Sequence, residues 1–175
     1  ILYSIMSSDE SDNLIKISLD YLLKSRQSMN YNTLFFSSNS SLIPLLHFAV
    51  EKEKFIALEL ILLSEIAKEL VNMKSNGDNF YHYAARLGHV KFIKTLFELV
   101  RIKKLKLYLY YFNDNGYNLL HIAAETENLD LLEFLCFEQK AFDLYGRTKN
   151  SNLTVFEIFE HKHGNNRLNK KDILE

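Results

Sequence analysis

Hydrophobic residues along this chain recur in blocks centred on a histidine. Three blocks align without a gap over 19 residues each: PLLHFAVEKEKFIALELIL from Pro44, NFYHYAARLGHVKFIKTLF from Asn79 and NLLHIAAETENLDLLEFLC from Asn118. The reference histidines are His47, His82 and His121. Two residues on stand Ala49, Ala84 and Ala123, followed by Val50, Ala85 and Ala124. Apolar Phe55, Val90 and Leu129 lie eight residues after each histidine; pairs follow at ten and eleven (Ala57 with Leu58, Phe92 with Ile93, Leu131 with Leu132), and Ile61, Leu96 and Leu135 at fourteen. Spacings of three and four place these residues on one helical stripe, while the small alanines permit close helix approach. Each block therefore predicts a short helix, a tight turn and a longer helix.

Turn chemistry punctuates the blocks. Gly88 and His89 fall between the two helices of the middle block, and NDNG (Asn113–Gly116) precedes the third. The histidines are 35 and then 39 residues apart, so the connectors differ in length. Repeating units that touch only their neighbours tolerate such insertions in loops. The extra length falls in RIKKLKLYLYYF, Arg101 to Phe112, where Leu105, Leu107 and Leu109 fit an extended strand and Leu99, Ile102, Leu105 and Leu109 a prolonged second helix; the favoured reading is the prolonged helix and then a short extended segment.

The blocks resemble ankyrin repeats, whose pattern runs D-x-x-G-x-T-P-L-H-x-A-A-x-x-G-H ahead of an apolar second helix. The match is best from Lys74 to Leu96, which keeps Gly77, His82, Ala84, Ala85, Gly88 and His89, and from Asn113 to Leu135. It departs where Asn79 with Phe80, and Asn118 with Leu119, replace the threonine and proline. The resemblance implies a single all-α solenoid over 1–175: repeats at 39–70, 74–105 and 113–140, an N-terminal capping unit over 1–36 and a degenerate C-terminal one over 143–175. In the last, Thr154, Val155 and Phe156 stand for threonine, proline and leucine, Glu157 replaces the histidine, Gly164 marks the turn, and Leu168 and Ile173 seal the final helix. In the first, Leu14, Ile17, Leu19, Leu22 and Leu23 form an amphipathic stripe N-capped by Ser11 or Asp12.

Composition narrows the function classes. With 21 basic and 22 acidic side chains the net charge is −1, so no global field draws in nucleic acid or an anionic membrane. The apolar runs, such as Phe55–Leu63 and Leu105–Phe112, fall short of the roughly 18 to 20 residues of a membrane span. The opening ILYSIMSSDES has no basic residue ahead of its apolar ones and is not expected to act as a secretory leader; a chain opening on Ile1 is compatible with a segment of a longer protein. One cysteine excludes an internal disulfide framework and suits a reducing, cytoplasmic setting.

Candidate chemistry reads as architecture. Cys136 occupies the register of Phe97 and Leu62 and is expected buried and inert rather than paired with His121 as a nucleophile. The three histidines are expected as pegs whose ring nitrogens bond backbone groups of neighbouring turns. His161 and His163 point to different helix faces and lack further ligands, so no metal is expected. The five glycines stand singly, without a phosphate loop, and no cofactor is expected. Glu125, Glu127, Asp130 and Glu133 read as a solvated face. Arg101, Lys103, Lys104 and Lys106, followed by Tyr108, Tyr110 and Tyr111, read as a solvated ridge rather than a nucleic-acid site.

What remains is recognition. The resemblance implies a non-catalytic module, expected monomeric, that binds another protein on a concave face of finger turns and first helices. Carried over position by position, the finger residues are Ser40, Ser41 and Ile43; Ser75, Asn76 and Asp78; Asp114, Asn115 and Tyr117; Asn150, Ser151 and Leu153. The first helices contribute Glu51 and Lys52, Arg86 and Leu87, Glu125 and Thr126, then His161 and Lys162. Their identity is expected to be dispensable for folding, with Tyr117, Arg86 and Leu87 as anchors. A second reading is the targeting domain of a larger enzyme or of a secreted bacterial effector acting on proteins of the host cytoplasm, suggested by abundant Asn, Lys, Ile, Tyr and Phe beside a single proline.

Overall fold

The computed structural model describes residues 16–17, 20–21, 44–64, 67–103, 107–138 and 143–163. Helix α1 (Leu45–Glu51) is followed by α2 (Phe55–Leu62) and a single turn, α3 (Ala67–Leu70). A two-stranded hairpin, β1 (Lys74–Ser75) with β2 (Asp78–Asn79), leads into α4 (Phe80–Arg86) and α5 (Val90–Lys103). Then come α6 (Leu119–Glu125), α7 (Leu129–Glu133) with a π-helical turn over Phe134–Glu138, and α8 (Val155–His163). The first helices stack in order, α1 on α4, α4 on α6 and α6 on α8. Three helix pairs in the predicted register, followed by a fourth first helix, make the all-α solenoid expected from the pattern.

One turn geometry ends the first helix of each pair. Glu53, Gly88 and Glu127, all six residues after the histidines, take positive φ of 54°, 77° and 58°. The next amide reaches five residues back, Lys54 to the Ala49 carbonyl, His89 to Ala84 and Asn128 to Ala123, at 2.9, 3.0 and 2.9 Å. This left-handed closure satisfies carbonyls that a helix end would otherwise leave unpaired. Only the middle unit supplies the glycine that such a conformation favours.

Burial follows the stripe. Ala57, Leu58 and Ile61, then Phe92, Ile93 and Leu96, then Leu131, Leu132 and Leu135 are all buried, as are the alanines two residues after each histidine. Between units the second helices meet through aromatic rings: Phe55 stacks on Phe92 at 5.2 Å, and Phe97 meets Phe134 edge-on at 5.4 Å. Each large apolar side chain so buried contributes about 2 kcal/mol. The stripe departs from expectation at Leu129, which is 63% exposed although Phe55 and Val90 in the same register are half-buried. Phe55 gains its cover from Phe92 on the following second helix; for Leu129 the equivalent register falls in 164–175, outside the described residues.

Helix α5 runs to Lys103, so the prolonged helix is present. Residues 104–106 lie outside the described residues; beyond them the chain turns, closed by the Tyr111 amide on the Tyr108 carbonyl at 3.2 Å, with Leu109 driven into the core beneath. The N-terminal stripe falls mostly outside the described residues; within it, 16–17 and 20–21 are helical and Ile17 is exposed.

Candidate partner-binding face

The fingers are three different solutions to one turn. In the second unit Asn76 and Gly77, at φ 51° and 84°, form the two-residue loop whose twist matches the flanking strands. In the third, the Asn113 amide bonds the Tyr117 carbonyl at 2.8 Å, while the Asn113 Oδ1 accepts from the Tyr117 amide at 2.8 Å. A Cβ at Gly116 would lie 2.8 Å from the Asn150 nitrogen, so close packing as well as its φ of 78° demands glycine there. In the fourth, Thr148 and Leu153 close the loop at 2.8 Å, with Asn152 in the left-handed region. Main-chain bonds join the fingers into one ribbon: the Asp114 amide donates to the Gly77 carbonyl and the Lys149 amide to the Gly116 carbonyl, both at 3.0 Å. An ion pair from Lys74 to Asp114 spans the same gap.

Behind the ribbon lie the histidines, completely buried. Each donates from Nε2 to a carbonyl in the loop of the following unit: His47 to Asp78 at 2.7 Å, His82 to Tyr111 at 3.0 Å and His121 to Gly146 at 3.1 Å. The expected pegs are therefore joints between units. His121 also closes a capping box, its amide donating to Asn118 Oδ1 at 3.1 Å and its Nδ1 facing the Asn118 amide at 3.4 Å. Burial lowers the pKa of all three rings against the opposing pull of their carbonyl bonds, and brings His82 to about 4.

Three of the expected face residues are bound into the stack instead of projecting from it. Asp78 is only 4% exposed. Its carboxylate accepts from Asn113 Nδ2 on the next finger and from Arg86 Nε at 2.6 Å. Arg86 continues to Glu125 on α6. Burial would lower the Arg86 pKa, but its bonds to Asp78 and Glu125 outweigh that and raise it. Asp78, Arg86 and Glu125 thus fasten unit two to unit three, and Glu125 leaves the solvated acidic face to which the sequence assigns it. Arg86 and Glu125 share one register, 39 residues apart like His82 and His121, but a shared register does not reveal that two side chains pair, and Asp78 lies outside it.

Other predicted positions remain accessible. Lys52, Asn76, Leu87, Asp114 and Asn115 are exposed, and Glu51, Ser75, Tyr117 and Thr126 are half-buried. Lys52 pairs with Glu51 at 3.2 Å, and Tyr117 leans edge-on against His121 at 6.1 Å. In the fourth unit Asn150, Ser151 and His161 are exposed, while Lys162 reaches Glu127 at 3.4 Å. Ser40, Ser41 and Ile43 lie outside the described residues. Sequence reasoning passed over Tyr83, half-buried on α4 beside His47 at 5.5 Å. Burial, then the neighbouring Glu51, raises its phenol pKa. Its register mates Phe48 and Ile122 are fully apolar and buried, so only the hydroxyl set it apart.

No catalytic constellation forms from the residues that suggested one. The His121 Nε2 is committed to the Gly146 carbonyl. Cys136 is half-buried rather than enclosed like Phe97 and Leu62, because the wide turn over Phe134–Glu138 shifts it off the α-helical register, and burial raises its thiol pKa. Among the described residues no group of three His, Cys, Asp or Glu is placed to hold a metal, and no helix is long and apolar enough to cross a membrane.

Stacked helix pairs, finger turns and histidine joints define a repeat solenoid. The chain belongs to the ankyrin repeat family: the description "Ankyrin repeats (3 copies)" matches residues 46–147. This family generally comprises non-catalytic interaction modules. Among solved structures the chain is similar to one in the crystal structure of the yeast ribosomal protein Rps3 in complex with its chaperone Yar1, with a TM-score of 0.55 and 23% identity over 67% of this chain and 82% of that one. No curated protein sequence matches the chain.

Proposed function

We propose that this protein is a binding module that takes a partner protein on the face made by the finger ribbon and the first helices. The observation that carries this reading is the division of labour on that face. Asp78, Arg86 and Glu125 are tied up in the joint, whereas Lys52, Asn76, Leu87 and Asn115 project from fingers and helix ends that are already fixed. Leu87 is 43% exposed on this otherwise polar face and provides an apolar anchor; half-buried Tyr117 supplies an aromatic one with little ordering cost. The proposed face also includes Glu51, Ser75, Asp114 and Thr126, all exposed or half-buried. The structural neighbour is itself a complex of two proteins, which supports the class of function and no particular partner.

A photo-crosslinking residue at Leu87, compared with one at exposed Thr95 on α5, tests the assignment in cells. Leu87 is expected to trap a discrete protein, and Asn76→Gly, which keeps the left-handed turn, with Asn115→Ala to weaken that trapping about tenfold while the melting curve stays unchanged. Trapping from Thr95 alone would place the contact on the second helices and reject the proposed face.

A further inference from the structure

We propose that the row of buried imidazoles makes the stack a proton-operated latch, in which protonation of His47, His82 and His121 undoes the joints between units. Each ring already carries its proton on Nε2, where the carbonyl of the following unit accepts it. A second proton must go to Nδ1, and none of the three sites can take it. In His121 that nitrogen faces the Asn118 amide, so protonation would set donor against donor and break the capping box. In His47 and His82 the Nδ1 is buried without a partner among the described residues, so a new N–H would be a charged, unsatisfied donor.

The surrounding charges give little relief. Asp78 faces both His47 and His82, but its two carboxylate oxygens are occupied by Asn113 and Arg86. Arg86 and Lys74 oppose a charge on His82. The Tyr83 ring lies against His47, with Glu51 acting on the far hydroxyl. Around His121 stand the rings of Phe112 and Tyr117. On the loop packed against it, Asp143 accepts from the Tyr145 amide and Arg147 pairs with Glu157.

Since every acceptor sits on the following unit, protonation acts on the joints, and in the third unit also on the cap that starts α6. Units that contact only their neighbours then separate together. The sign follows from linkage. The rings have lower pKa folded than the ordinary 6.5, so their contribution is complete above 6.5 and drains away as pH falls from there, toward about 4 for His82. Glu157, whose pKa is lowered by its bonds to Thr154 and then by Arg147, weakens the fold only below the ordinary carboxylate value of 4.5. The interval between about pH 5 and 6.5 therefore isolates the histidines.

Urea unfolding of the whole chain across that interval, together with NMR of the histidine rings, tests the latch. The unfolding free energy is expected to fall with pH through that interval, with His82 contributing close to one proton near pH 5 and His47 and His121 adding to the slope. The three rings should keep the neutral Nε2–H tautomer until chemical-shift dispersion collapses. The variant H47Q/H82Q/H121Q keeps a side-chain N–H donor but cannot titrate, and should lose nearly all of that slope. A wild-type midpoint flat between about pH 7 and 5, peg rings that protonate while dispersion persists, or a glutamine variant with the wild-type slope would each overturn the proposal. If the triple variant does not fold, the wild-type slope and ring titration decide it alone.

Discussion

The third and fourth units begin their first helices with the same device and then diverge. Asn118 and His121 close one capping box; Thr154 and Glu157 close the other, with the Thr154 amide donating to Glu157 Oε2 at 2.6 Å and the Glu157 amide reaching Thr154 Oγ1 at 3.3 Å. Histidine has a second nitrogen left over and spends it on Gly146 of the next loop. Glutamate turns instead to Arg147 on its own finger, at 3.1 Å, while Arg147 also donates to the Asn152 carbonyl at 2.6 Å. The motif thus performs two separable tasks, starting a helix and fastening a neighbour. Glutamate at that position performs the first and offers no imidazole for the second.

The fastening is densest around Asp78, where its loss should cost most. Asp78→Ala leaves Arg86 and Asn113 without their buried acceptor and is expected to lower the unfolding free energy by about 3 kcal/mol in urea titration. A loss below about 1 kcal/mol would mean that the joint is held by apolar packing alone. Next, Asn118→Ala and Thr154→Ala each remove a cap and should cost about 1 kcal/mol. Hydrogen exchange separates them: the first should also raise exchange at the Gly146 loop, because His121 loses its orientation, whereas the second should stay confined to α8. The smallest effect concerns the turns. Glu127→Gly relieves a left-handed glutamate and is expected to gain about 0.5 kcal/mol, despite losing the exposed pair with Lys162; Gly88→Ala at the equivalent turn should lose about 1 kcal/mol in the same assay.

What the sequence revealed and what it hid divide along physical lines. The stripe, the alanines and the joints were legible because each recurs at a fixed interval on one helix face, and three occurrences reinforce one another. The Asp78–Arg86–Glu125 chain was hidden because its members sit on three elements and occur once. The resemblance therefore assigned all three to the partner-binding face. Leu129 misled because register fixes only the direction of a side chain, not the presence of cover, and Cys136 because the π-helical turn departs from the register itself. The connector after Lys103 was half legible, since periodicity shows where a helix continues and says little about the turn that ends it.

That connector shows how such a chain can lengthen without harm. Besides the buried Leu109 and the Tyr110 ring against Phe97, it is held to the second unit by oxygen atoms of the backbone: the Tyr81 hydroxyl donates to the Tyr108 carbonyl at 3.1 Å, and His82 to that of Tyr111. The three receiving positions, Asp78, Tyr111 and Gly146, share no side-chain character because none is read. An insertion costs only the closure of a slightly longer loop, about 0.6 kcal/mol even for a doubling, so long as an oxygen comes back to the same point. Drift in wording between successive copies is thereby tolerated, and the stacked rings of Tyr108 and Tyr111, exposed at 4.8 Å from one another, are free to be rewritten without loosening what lies beneath.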